Sequence, residues 1–268
     1  MPTLNDFFES AELPVMSEVA HALVRTLSDG SASGAQVEAI VAKDPALTAN
    51  LLRMANCAQF GLSRQVTSLK HAITLLGMAR IRSLALSTSI KAAFPVVAGL
   101  DRAVFWNFSM ACAGYAHWLA DPLGLDPQEA WLAGMMLRLG ELLIGQRSPA
   151  SLAEIEAQGN PAQARWMIEQ RLLGFDETQL TAALARHWNF PSAIVDGLQS
   201  AGEPMSAQPF NVLAGVLHLA ARLADGTEPH ADVLATLPAP VIAALGLDQA
   251  WMAAKLPPSG SFVDVSEL

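Results

Sequence analysis

The stretch Lys43-Asp44-Pro45-Ala46-Leu47-Thr48-Ala49-Asn50-Leu51-Leu52-Arg53-Met54-Ala55-Asn56 decides how this chain is read. Asp44 can accept the free amides at a helix start, and Pro45 stands at the first helical position, where its missing N–H costs nothing. Leu51, Leu52 and Ala55 form the buried stripe, with Leu47 and Met54 beside it. Asn56 and Gly61 suit the turn that ends the segment.

The same grammar recurs on both sides. Upstream, Val15, Val19, Leu23 and Leu27 repeat at fourfold spacing over residues 14–28, which stop at Asp29-Gly30, and a second helix is expected over 34–42. Downstream, 68–93 reads as two helices meeting near Gly77, and Asp101 caps an aromatic-rich helix to Ala120. Asp126-Pro127-Gln128-Glu129 is another strong start, with Glu129 placed to complete a capping box. The helix it opens, 127–146, is apolar all round and is expected at the centre. Helices over 152–157, 161–173, 177–188, 192–200 and 210–224 follow, then two or three short ones after Gly226 and a loose arm at Pro257-Pro258-Ser259-Gly260. Strand signals are nearly absent, and no solenoid-like internal repeat is present. The fold class is therefore all-α: one compact multi-helix domain, open to division into two lobes near Pro95 to Leu100. Its parts are an N-terminal segment 1–12, a helical domain 13–225 and a C-terminal helical extension 226–268.

Composition narrows the function. With 52% hydrophobic and 15% charged residues the chain can bury a substantial core. The net charge is -9, with 16 basic residues scattered among 25 acidic ones, which argues against nucleic-acid binding. Arg80 and Arg82 read as a solvated helix face. The first ten residues carry acids and no positive n-region, so they are not a secretory signal. The longest apolar run, 131–144, contains Arg138 and Glu141 and falls short of the ~20 residues of a bilayer span. A cytoplasmic location is expected. Cys57 and Cys112 lie far apart, outside any CxxC, and read as small buried hydrophobes.

Leu13-Pro14, the 43–56 block, Phe60-Gly61-Leu62, Ser68-Leu69-Lys70-His71-Ala72-Ile73-Thr74-Leu75-Leu76-Gly77, Phe105-Trp106, Leu132-Ala133-Gly134 and His218-Leu219-Ala220 together resemble the HDOD family. These are bacterial signalling modules related to the metal-dependent HD phosphohydrolases, and the resemblance spans roughly residues 13–225. In the first block it would make Asn56 or Phe60 a partner contact; the residues themselves favour a structural role.

HD hydrolases hold divalent metals through histidines and aspartates, and the metals supply hydroxide and neutralise phosphate. The resemblance puts the name-giving His-Asp pair at Leu137-Arg138, a further histidine at Phe108 and a further aspartate at Ala221. None of these ligates a metal, and a guanidinium repels one. The six histidines never form HxxxH or HxH, and no GxSxG elbow, Walker or dinucleotide pattern is present. Carboxylates such as Glu154 with Glu156 are spread around a helix, and Asp176 with Glu177 at a helix start is explained by the helix dipole.

Arg138 is the most informative residue. A charge on an apolar helix needs a carboxylate, a polar pocket or an anion, and Glu141 is within reach three residues on. Three functions stay open. The first is a non-enzymatic adaptor that docks a two-component or cyclic-dinucleotide signalling protein. The second is a sensor of an anionic small molecule in the vestigial pocket near Arg138, Glu141, His218 and Arg222. The third is a remnant phosphohydrolase with other ligands. No resident cofactor or metal is expected.

Overall fold

Side-chain oxygens set where the helices begin. The computed structural model describes residues 3–56, 65–158, 162–225, 230–258 and 261–262, and every extended regular element among them is helical. In chain order these are α1 (Leu4–Ser10), α2 (Glu18–Arg25), α3 (Gly34–Val41), α4 (Pro45–Ala55), α5 (Leu69–Leu76) and α6 (Met78–Ala93). Then come α7 (Arg102–Ala120), α8 (Pro127–Met136), α9 (Leu139–Arg147), α10 (Pro149–Ala157), α11 (Ala162–Leu173) and α12 (Glu177–His187). The series ends with α13 (Ser192–Gln199), α14 (Val212–Ala224), α15 (His230–Ala235), α16 (Ala239–Leu245) and α17 (Gln249–Lys255). Asp44, Asp101 and Asp126 accept first-turn amides as their sequence contexts predict, and Thr3, Ser17, Ser33, Ser68, Asn211 and Asp248 do the same elsewhere. No helix among the described residues is long and apolar enough to cross a membrane.

The chain divides into two compact units, with a boundary at Pro95–Val96. The smaller comprises Pro14–Pro95 and Trp188–Pro191, so α2 to α6 pack on one another around Leu23, Val37, Leu51, Ile81 and Ile90. Gly77, at φ 88°, ends α5 and starts α6 in one residue, a backbone conformation that L side chains rarely adopt. The indole of Trp188 donates to the Pro14 carbonyl at 3.1 Å.

Three expectations for this unit change. Helix α2 starts only after the Ser17 cap, so Val15 lies outside it at 86% exposure, and the buried face is Ala20, Leu23 and Val24. Arg82 is buried, not solvated: its Nη1 donates at 2.8 Å to the carbonyl of Thr26, which caps the end of α2. Helix α4 ends at Ala55, and the Asn56 amide links Leu52 to Val66, donating to both carbonyls and accepting the Val66 N–H at 2.7 Å. That use engages both Asn56 amide hydrogens; Cys57, Phe60 and Gly61 lie outside the described residues, as do Ser259 and Gly260 of the expected arm.

Among the described residues the larger unit holds those up to Leu13, Val96–His187 and those from Ser192 to Phe262. Helix α7 packs against α8 and α14, and around these lie α9, α12 and α13. Cys112, Leu119, Leu132, Met136 and Leu217 form the fully buried centre. Helix α1, which no sequence signal announced, seats Phe7 edge-on against Phe175 at 5.1 Å. At the other end Trp118 of α7 stacks on Trp251 of α17 with ring centroids 4.9 Å apart.

Candidate functional site

The helix expected over 127–146 is two helices, and the break falls on the site the resemblance singles out. Helix α8 stops at Met136, α9 starts at Leu139, and Arg138 sits between them at φ -98°, ψ 10°. Thr181 of α12 holds the break open. Its hydroxyl donates to the Leu137 carbonyl at 3.2 Å and accepts the Gly140 N–H at 2.7 Å, a side chain inserted into the helical ladder. The approach requires glycine at 140, where a Cβ would lie 2.2 Å from the Glu177 carbonyl oxygen. Thr181→Val keeps the shape but strands two buried backbone groups, so chemical denaturation is expected to register a loss of about 1–3 kcal/mol.

The break leaves Arg138 facing carboxylates. Its Nη2 lies 2.7 Å from Glu141 Oε2, its Nε 3.6 Å from Glu177 Oε2, and its guanidinium carbon 4.4 Å from the ring centroid of Phe108 on α7. A second cation anchors the cluster. Arg165 of α11, only 1% exposed, meets Glu141 Oε1 through Nη2 at 2.7 Å and Glu156 of α10 through Nη1. Its Nε lies 3.1 Å from Glu169 Oε1 and 3.2 Å from Glu177 Oε2. Glu177 also accepts the Trp166 indole N–H at 3.1 Å, and its own backbone N–H donates to Glu169 Oε2 at 2.7 Å.

Burial dominates the electrostatics. It pushes the Glu141 carboxyl up to about 7 despite the pull of Arg138 and Arg165. It pushes Asp225, which accepts the Ala162 N–H, up to about 6. Burial works against the charge on Arg165, but Glu177, Glu141 and Glu169 outweigh it and hold the guanidinium protonated. His218 is lowered by burial. Its Nδ1 lies 2.8 Å from the Ala201 carbonyl, which can only accept, so Nδ1 carries the hydrogen.

Of the residues singled out from sequence, Arg138, Glu141 and Phe108 meet directly. His218 packs 5.2 Å from Trp166, the neighbour of Arg165, and Leu137 and Ala221 are fully buried. Arg222 is engaged elsewhere, donating to the Thr236 carbonyl at 2.8 Å. Sequence reasoning missed Arg165, Glu169 and Thr181, and it misread Glu177. Asp176 does serve the helix start, accepting the N–H groups of Thr178 and Gln179, while Glu177 turns inward and is fully buried.

The HDOD domain profile matches residues 13–204. The chain belongs to the HDOD domain family. Its fold superimposes on the crystal structure of a "Putative phosphohydrolase" from Shewanella amazonensis with a TM-score of 0.82 and 30% identity, covering 99% of this chain and 98% of that one. A "Putative signal transduction protein" from Marinobacter aquaeolei gives 0.82 at 22% identity, over 100% of this chain and 61% of that one. An HDOD domain protein of unknown function from Geobacter sulfurreducens gives 0.74 at 18%, over 98% and 91%. An uncharacterized protein of Treponema pallidum is 21% identical over 233 residues, 83% of this chain, and the chain spans only 44% of that relative's length.

The positions at which the resemblance expects HD metal ligands, Phe108, Leu137, Arg138 and Ala221, carry a phenyl ring, an isobutyl group, a guanidinium and a methyl group. They do not fit a divalent cation. Among the described residues no group of three or more His, Cys, Asp or Glu is arranged to hold a metal ion. The carboxylates nearest Arg138 are turned to the two guanidiniums instead.

Proposed function

We propose that this HDOD domain is a non-catalytic regulatory module of bacterial signal transduction, acting in the cytoplasm by docking another signalling protein of a two-component or cyclic-dinucleotide pathway. The observation that carries the reading is the Arg138 guanidinium, a permanent charge where the resemblance calls for an acidic ligand, held by Glu141 at 2.7 Å. The signal-transduction name of the Marinobacter neighbour agrees with it. The same ion pair favours docking over anion sensing, because the charge an anion would seek is already matched. In this reading Arg138 and Glu141, with His218 nearby, form the vestigial site or partner contact, and Arg222, held by the Thr236 carbonyl, can serve only as a contact beside it.

The rival is hydrolysis, raised by the name of the Shewanella neighbour. Metal analysis of the purified chain and a phosphatase assay with manganese separate the two. No turnover above background is expected, and turnover abolished by a chelator overturns the proposal. Arg138→Ala is expected to keep its helical circular dichroism, since Arg165 still pairs with Glu141, while losing a signalling protein that the unaltered chain retains. Equal retention by both chains would remove Arg138 from the contact.

A further inference from the structure

The ion cluster of the larger unit holds more acids than bases, and two of its buried carboxyl oxygens, Glu141 Oε2 and Glu169 Oε1, accept no hydrogen bond. Arg138 and Arg165 face Glu141, Glu169 and Glu177, all three of which are at most 1% exposed, and Glu156 at the rim. Arg165 Nε carries a single hydrogen, which is directed at Glu177 Oε2. Glu169 Oε1, 3.1 Å from the same nitrogen, is buried and accepts no hydrogen bond. An ionised Glu169 would therefore place an unsatisfied charge beside the Glu177 carboxylate, in a site without water contact.

We propose that Glu169 is held as a neutral carboxylic acid at neutral pH, and that loss of its proton loosens α11 from α12, making this helical unit pH-responsive. Every element packed around the cluster contributes charged or titratable groups, of which Arg165, Glu177 and Asp176 act on Glu169 directly. The full set begins with Arg165 on the same helix as Glu169, Glu177 and Asp176 at the head of α12, Glu141 on α9 and Arg138 before it. Glu156 stands on α10, with His218 on α14 and Asp225 at its C-terminal cap. Burial is the largest influence on Glu169 and raises its pKa, the Glu177 charge raises it further, and Arg165 opposes both. Glu141 Oε2 also accepts no hydrogen bond, but each Glu141 oxygen lies 2.7 Å from a different guanidinium. Glu169 Oε1 has only the Arg165 nitrogen whose hydrogen goes to Glu177, so the excess proton is assigned to Glu169.

The sign follows from linkage. A carboxyl whose folded pKa is raised binds its proton more tightly in the folded state, so its stabilisation is complete below the unfolded value and is lost as pH rises through the folded one. Glu169→Gln mimics the neutral acid, with an amide able to donate toward Glu177. Melting temperatures of the full chain and of Glu169→Gln are to be measured from about pH 5 to about pH 9. The difference, variant minus unaltered, is expected to grow by about 3 °C per pH unit. A difference that stays constant with pH overturns the proposal, because a merely structural glutamate shifts both curves equally. Should Glu169→Gln fail to fold, infrared spectroscopy of the unaltered chain and of Glu141→Gln decides. A protonated-carboxyl stretch at neutral pH that persists in Glu141→Gln is expected, and its absence there overturns the assignment.

Discussion

Arg165→Met is expected to bring the larger unit close to unfolding at neutral pH. Methionine fills much of the volume but returns no charge, so Glu141, Glu169 and Glu177 would lie buried with only Arg138 between them. Removing one partner from a buried ionic network costs about 3–5 kcal/mol, a large part of the stability of an ordinary domain. The cost depends on pH in a definite direction. Without Arg165 the three carboxyls remain buried only if protonated, which raises their folded pKa values, and stability then returns as pH falls. Circular dichroism of Arg165→Met should accordingly show helix recovered toward about pH 5 and lost again above it. Folding at neutral pH to within about 1 kcal/mol of the unaltered chain would show that the cluster contributes little. Exchanging Arg165 and Arg138 together with the three buried glutamates for apolar residues of similar volume should restore much of the loss, since the penalty comes from stranded charge.

Gly140→Ala is the second large effect. The added methyl would lie 2.2 Å from the Glu177 carbonyl oxygen and 2.9 Å from its carbonyl and α carbons. These are backbone atoms and cannot rotate away, so α9 must back off from α12. That movement breaks the Thr181 bridge and displaces Glu177 from Arg165. A loss of about 3 kcal/mol is expected, read as a melting temperature lowered by about 10 °C. Gly30→Ala is the control, because nothing lies within 4 Å of a Cβ there, and it should move the midpoint little. Equal effects at the two positions would show that α9 and α12 do not need their close approach.

The helices were legible because their starts are written locally. Asp44-Pro45, Asp101 and Asp126-Pro127 each cap within three residues, and Gly77 marks its own boundary. Arg138 was legible as a charge in search of a partner, and Glu141 as the partner in reach. The break at Leu137 was not, because residues 134 to 141 read as an unbroken apolar helix and the hydroxyl that interrupts it arrives from Thr181. Arg165 was hidden for the same reason. Between Ala164 and Trp166 it has the look of a polar position on a surface helix, and only the packing of α9, α10 and α12 around it makes it central. Glu177 was misread because a glutamate at a helix start has an adequate local explanation, which here belongs to Asp176. The fourfold spacing of Val15 with Val19 was real, but the cap at Ser17 overruled it.

The partners of Arg165 lie within the stretch from Glu141 to Glu177, on four successive helices joined by short connections. Bringing them together closes only modest loops, whereas α7 meets α14 across the whole of that stretch and the chain on either side of it. The order of assembly follows: α9 to α12 can gather first, and α14 closes onto a hairpin-like platform already in place. Mutations in the cluster should then slow refolding, while those in the α7–α14 contact should mainly hasten unfolding.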